Sequence, residues 1–289
     1  MNKVKACVLG KPIEHSLSPI IHNAAYSSMG IDGSYSKVEA DTEMFAQTIS
    51  ALIDDGYNGF NVTMPCKAAA FDFCDEIHGS AKRLRSVNTI VIKDSITHGY
   101  STDGDGFVNF MINEQIGIAK KKITVIGSGG AASTICDALY SYGANIKILA
   151  RNLTSAKKIS DEIQNFYPLN PKGSTIQFTE LKDGDDVLSN SNIIINATPV
   201  GMLKSTGEKT QAPFDLNLLN TEQVVIDTIY FPFLTPLLEK AKSLDCLFYN
   251  GIYMLLYQAA LSFELMTGLT APINDMKLAL ISEVDLRSS

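Results

Sequence analysis

Short, nearly unbroken apolar runs alternate along this chain with stretches of helical periodicity. VKACVLG (4–10) reads as a buried strand, followed by 3.6-residue spacing from Pro19 to Met29 that stops at Gly30. GSYSKVEA (33–40), a helix from about Thr42 to Asp54 and the strand GFNVT (59–63) continue the alternation. On the first helix Ile20, Ile21, Ala24, Ala25 and Met29 form one apolar stripe, which leaves His22 and Asn23 at its edge or beyond, in surface or boundary positions. From Val87, VNTIVIKDSITHGYSTD predicts two strands around a Lys93-Asp94-Ser95 turn.

The pattern then changes. Lys121 to Asn152 is an apolar strand, a glycine-rich turn, a helix, Gly143 and a second apolar strand, which together make a βαβ unit. Strands follow in STIQF, SNIIINATP and EQVVIDTIY, with helices at Thr154 to Phe166 and Thr235 to Leu244. The expected class is α/β, with a mostly parallel, doubly wound sheet in the second part. The chain from about Asn250 is helical in pattern, and there is no long linker, low-complexity tract or internal repeat.

With 289 residues and 45% apolar content, two domains are expected. A net charge of −7, from 24 basic and 31 acidic residues without long runs of either sign, argues against nucleic acid as partner. The five scattered cysteines, Cys7, Cys66, Cys74, Cys136 and Cys246, include no C-x-x-C pair. They fit reduced thiols in the cytoplasm, and no His or Cys cluster has metal-ligand spacing, so no metal is expected. The apolar part of the N-terminus is too short for a signal-peptide core, and Gly251 to Met266 is interrupted by Gln258 and Glu264, so no membrane anchor is expected.

Four segments carry candidate chemistry. In SLSP, Ser18 suits a helix N-cap with Pro19 at the first helical position, which leaves Ser16 spare; alternatively both hydroxyls and the helix-start N–H groups hold a small anion. In NVTMPCK, Asn61 and Thr63 end a strand and Lys67 follows, where a cation at a helix start is mildly unfavourable and invites another reason. In STDGDGF, Asp103 is a turn acid, a helix cap or a functional carboxylate. Gly127-Ser128-Gly129-Gly130-Ala131-Ala132 has the form G-x-G-x-x-A between a strand and a helix, which points to a dinucleotide, with a structural turn or a methyl-donor nucleotide as alternatives. The second strand ends in Arg151-Asn152 rather than in an acid.

SLSP, NVTMPCK, SVNTI, STDGDGF, GSGGAA, NATPVGM, DTIYFPFLTPLL and GIYMLLYQAALSFELMTG together resemble, in order, the signatures of the shikimate dehydrogenase family. The resemblance implies a substrate domain over 1–105, a Rossmann-type NADP-binding domain over 106–249, and C-terminal helices over 250–289 that return to the first domain. It implies that Ser16 and Ser18 bind a carboxylate, and that Asn61, Thr63, Asn88, Asp103 and Gln258 meet substrate hydroxyls. It also places Tyr230 near the carboxylate and makes Lys67 with Asp103 the catalytic pair. Gly127, Ser128, Gly129, Gly130, Ala131, Arg151, Asn152, Thr198 and Gly251 would serve the cofactor, NADP with NAD as the alternative. Ser101, Ser86, Ala150 and Ser155 depart from the usual family residues.

The implied reaction is reversible NADP-dependent reduction of 3-dehydroshikimate to shikimate, a step of aromatic amino acid biosynthesis, by a monomer or homodimer. The alternatives are an NAD-preferring quinate/shikimate dehydrogenase and a catalytically silent regulator that binds the same ligands. Cys66, beside Lys67, is expected to be packed rather than reactive.

Overall fold

Strand β1 (Val4–Gly10) is buried at nearly every position, as a strand covered on both faces must be. It lies inside the first of two six-stranded sheets. The structure is a computed structural model and describes residues 3–170, 172–202 and 211–288. The chain divides into two compact units, one running to Gly106 and resuming over Leu255–Arg287, the other spanning Phe107–Met254.

In the first unit β1 is followed by α1 (Ser18–Ser28), β2 (Gly33–Glu39), α2 (Phe45–Asp54), β3 (Gly59–Val62), α3 (Lys67–Phe73), β4 (Glu76–Ile77), α4 (Ser80–Leu84), β5 (Thr89–Lys93) and β6 (Ile96–Tyr100). The sheet order is β2-β1-β3-β5-β6-β4. β1 pairs in parallel with β2 and β3, whereas β3-β5 and the expected hairpin β5-β6 are antiparallel. One core gathers Cys7 and Leu9 of β1, Phe45 and Ile49 of α2, Phe60 of β3 and Ile90 of β5. Helix α5 (Asp103–Asn113) begins in this unit, and α10 (Ile252–Thr267) and α11 (Ile273–Ser288) end the chain.

Two expectations for α1 are corrected. Ser18 is not the N-cap. That position belongs to Leu17, whose backbone is already helical and makes no side-chain cap. Ser16 Oγ, one residue ahead of the N-cap, instead accepts from Ser18 N at 3.4 Å, a long contact that links the two serines. His22 is not a surface or boundary residue either, because it is 0% exposed. The packed face of α1 is wider than its aliphatic stripe: His22 stacks on Tyr35 of β2, ring centroids 4.3 Å apart and 5° from parallel. Beside it the Asn23 amide exchanges two 2.9 Å hydrogen bonds with the Tyr35 backbone N and O.

The second unit holds β7 (Lys122–Ile126), α6 (Gly130–Ser141), β8 (Asn145–Ala150), α7 (Leu153–Phe166), β9 (Thr175–Glu180), α8 (Asp185–Ser189), β10 (Ile193–Asn196), β11 (Val224–Asp227), α9 (Pro236–Ser243) and β12 (Leu247–Tyr249). Its strands run β12-β11-β10-β7-β8-β9, all parallel. This is the doubly wound order, with the direction of winding reversing between β7 and β10. Ile126, Leu149, Ile194, Val225 and Leu238 fill the core on one face. Among the described residues no helix is long and apolar enough to cross a membrane.

Candidate active site

β3 ends at Val62, and Thr63 N is held by the Leu9 carbonyl at 2.8 Å before the chain turns into α3. That turn makes Lys67 the first residue of α3, and its Nζ donates to Asp103 Oδ2 at 2.6 Å. The pairing supplies the reason that a cation sits at this helix start. Asp103 opens α5, where a carboxylate is favoured by the helix dipole, and its other oxygen accepts from Asn88 Nδ2 at 2.8 Å. Both carboxylate oxygens are therefore aimed, one by a cation and one by an amide. The side chains of Lys67 and Asp103 keep 30% and 16% of their exposure, so the pair is reachable from solution.

Asp103 stays in place because α5 lies against α10 at Gly106. A Cβ there would stand 2.6 Å from Gln258 N and 2.7 Å from Gln258 Cα, so only glycine allows the two helices this approach. Gln258, half-buried, donates to the Leu255 carbonyl at 2.8 Å. Below the pair, Asn61 Nδ2 donates to the Asn88 carbonyl, Thr89 Oγ1 and Ser262 Oγ, and its Oδ1 accepts from Tyr35 Oη at 2.6 Å. Ser18 joins through its hydroxyl, which bonds the Tyr35 phenol; burial pushes that phenol well above its ordinary range. The polar atoms of the Asn61 side chain are thus already engaged within the protein. Thr63, half-buried, and Gln258 sit further out.

In the second unit β7 ends at Ile126 and the chain turns at Gly127, whose φ of +115° lies in the region that favours glycine. Among the described residues a Cβ added at Gly129 or Gly130 meets nothing within 4 Å, which leaves room before α6. A cavity of about 670 Å³ lies here, lined by Gly127, Ser128, Gly129, Arg151, Asn152 and Thr198, among others. It sits at the carboxyl ends of the strands where the winding reverses, and its size suits a nucleotide. Arg151 is exposed at the end of β8, while Asn152 caps α7 by accepting from Ser155 N at 3.0 Å.

The far wall hangs on Asn196, whose Oδ1 accepts from Thr198 N and Oγ1 and whose Nδ2 donates to the Val200 carbonyl and Asp227 Oδ1. Burial pushes the Asp227 carboxyl up to about 6 against the pull of Ile229 N, Thr235 Oγ1 and Asn196.

Known proteins match this arrangement along the chain. Residues 8–90 match the shikimate dehydrogenase substrate binding domain, 111–203 shikimate / quinate 5-dehydrogenase, and 251–281 the shikimate 5'-dehydrogenase C-terminal domain. Shikimate dehydrogenase (NADP(+)) of Staphylococcus epidermidis is 34% identical over 284 residues, 98% of each chain. The chain belongs to the shikimate dehydrogenase family. A crystal structure of shikimate dehydrogenase in complex with NADP+ superposes with a TM-score of 0.90 at 34% identity, covering 98% of this chain and 96% of that one. The Listeria monocytogenes shikimate 5-dehydrogenase, in complex with shikimate and NAD, gives 0.86 at 30% identity and 96% of each chain.

Within a shikimate dehydrogenase scaffold, Lys67, Asn88 and Asp103 stand together, with Asn61 and Ser18 reaching them through shared partners. Tyr230 is a half-buried residue of the second unit, beyond β11. Gly251 answers first to packing, since a Cβ there would stand 2.1 Å from the Thr228 carbonyl oxygen. Cys66 is 0% exposed and its thiol donates to the Ala40 carbonyl at 3.3 Å, a packed group as expected. Sequence reasoning passed over Tyr35, Ser262 and Asp227. Ser262 was findable as a hydroxyl one turn beyond Gln258 in an otherwise apolar helix, whereas Tyr35 was hidden in an ordinary edge strand.

Proposed function

We propose that this protein catalyses the reversible NADP-dependent reduction of 3-dehydroshikimate to shikimate, with the first unit holding the substrate and the second the dinucleotide. The observation that carries the reading is the Lys67 Nζ–Asp103 contact of 2.6 Å, with Asn88 on the other carboxylate oxygen. The open glycine turn, the cavity and Arg151 suit a phosphorylated dinucleotide, whose nicotinamide, when bound, supplies or takes a hydride. As negative charge grows on the substrate's C3 oxygen, the Lys67 ammonium stabilises it and delivers a proton; in the reverse direction the lysine takes that proton back. Asp103 fixes the lysine's orientation and offers an acceptor to a neighbouring substrate hydroxyl. Ser16 and Ser18, at the start of α1, hold the carboxylate. Five scattered cysteines without a C-x-x-C pair fit a cytoplasmic enzyme, acting as a monomer or homodimer.

The test is the absorbance of reduced nicotinamide with shikimate and with quinate, under NADP and NAD. Turnover of shikimate with NADP supports the reading, preference for quinate and NAD supports its nearest relative, and tight binding of both ligands without turnover supports a silent regulator. Replacing Ser16 and Ser18 together by alanine raises the shikimate KM, by roughly 10- to 150-fold for each hydrogen bond to the carboxylate that is lost. An unchanged KM removes the carboxylate site from α1.

Arg151 sets the cofactor preference. A guanidinium at the end of β8 pairs with a 2′-phosphate, where an NAD site needs an acid for the ribose hydroxyls. One charged hydrogen-bonding contact gives roughly 10- to 150-fold in kcat/KM for NADP over NAD, and Arg151→Ala abolishes most of it. If the alanine variant keeps the preference, another group selects the cofactor.

A further inference from the structure

The spacing of histidines along the chain hides a cluster that the sheet assembles. β4 lies beside β6 in parallel, with Glu76 opposite His98 and Ile77 opposite Gly99. Partners in register share a face of the sheet, and a residue two positions along a strand returns to that face. His78, two residues beyond Glu76 and held by its own N–H to the Gly99 carbonyl at 2.9 Å, therefore joins them. Backbone pairing, rather than chance rotamers, brings the three side chains together.

Their donor atoms form a nearly equilateral triangle: His78 Nε2 to His98 Nδ1 is 3.1 Å, His98 Nδ1 to Glu76 Oε2 is 3.3 Å, and His78 Nε2 to Glu76 Oε2 is 3.6 Å. Ligands of a tetrahedral zinc at about 2.0–2.1 Å stand about 3.3 Å from one another, so an ion slightly above this triangle would reach all three. A hydrogen bond between the imidazoles occupies the 3.1 Å edge, and the carboxylate stands at ion-pair distance from both rings, so all three donor atoms already converge on one point. Tyr100 stacks on His78 with centroids 4.6 Å apart and fixes its ring plane. Side-chain exposures of 37% for His78 and 53% for Glu76 leave the triangle open to solution.

We propose that Glu76, His78 and His98 form a binding site for one divalent transition-metal ion of the zinc class, with solvent as the fourth ligand. Two imidazoles and one carboxylate favour such an ion over magnesium or calcium, which take oxygen ligands. Cys74, the half-buried thiol of the same unit, packs beside Ile77 and Gly99, on the other face of the sheet from the triangle, and so does not join it. The ion would clip β4, an edge strand of two residues, to β6, whose chain leads within three residues to Asp103.

Zinc chloride titrated calorimetrically into the full-length protein tests the site. The expected result is one equivalent bound by the wild type, at least about tenfold weaker binding in His98→Asn and Glu76→Gln, and a rise in Tm with zinc that both variants lose. His78→Asn is the substitute if either variant fails to fold. Cobalt(II) gives a readout that needs no variant: a visible spectrum of tetrahedral nitrogen and oxygen coordination without a thiolate charge-transfer band. Absence of stoichiometric uptake, equal affinity in wild type and variants, or a thiolate band would each overturn the proposal.

Discussion

Lys67→Ala lowers kcat by something like 10²–10⁴, the usual contribution of a positioned acid or base, while NADP affinity stays near the wild-type value. The expectation rests on where Lys67 Nζ is held, 2.6 Å from Asp103 Oδ2 and partly open to solution. Asp103→Asn keeps the shape of the site but removes the charge that orients the ammonium, so it also lowers kcat. Because the two groups act as a unit, the double variant costs little more than Lys67→Ala alone. Melting curves serve as the control: each single variant leaves a partly buried charge without its partner, so kcat is compared at a temperature where every variant is folded. If kcat survives in Lys67→Ala and only KM rises, the lysine is a binding group and the proton comes from elsewhere.

His22 makes stability fall steeply in mild acid. Burial lowers its imidazole from the ordinary value near 6.5 to about 3, and neither ring nitrogen finds a hydrogen-bond partner among the described residues. The unfolded chain binds this proton between pH 6.5 and 3 and the folded chain does not. The contribution of neutral His22 is therefore complete above about 6.5 and is lost progressively as the pH falls towards 3. Each unit in that window removes about 1.4 kcal/mol, so His22 alone costs about 2–3 kcal/mol between pH 6.5 and 4.5. His22→Phe keeps an aromatic ring against Tyr35 and cannot titrate. The measurement is urea unfolding of both proteins by circular dichroism across this range. The difference between them should grow as pH falls, whatever constant offset the larger ring introduces, and a difference independent of pH refutes the assignment.

The fold was legible wherever burial left a periodic mark. β10 and β11 are runs of Ile and Val because both faces are covered, β7 and β8 carry Ile, Val or Leu at most of their buried positions, and the glycine turn after β7 sits where a doubly wound sheet needs it. β4 was illegible because two residues show no period, and it exists only because β6 offers an edge. α5 begins Asp-Gly-Asp-Gly, a poor helix start by propensity, and its glycine is explained only by the 2.6 Å approach to Gln258 N. The site was readable at Lys67, Asp103 and the serines through motifs. The division of labour between Ser16 and Ser18 was not, because a difference of one residue in where a helix begins decides which residue stands at its N-cap. His22 was misplaced for a similar reason: an aliphatic stripe says nothing of an aromatic partner that only the neighbouring strand supplies.

The Asn23 amide that pairs with the backbone of Tyr35 also bears on self-association. β2 is an edge strand, and its outward-facing N–H and C=O groups form a template on which a strand from another molecule can add. At Tyr35 both groups are taken by a side chain of the same chain, at 2.9 Å each, so that rung of the edge is closed to an incoming strand. The opposite edge of the sheet is only two residues long. This sheet resists edge-to-edge aggregation by an occupied rung on one side and a shortage of length on the other.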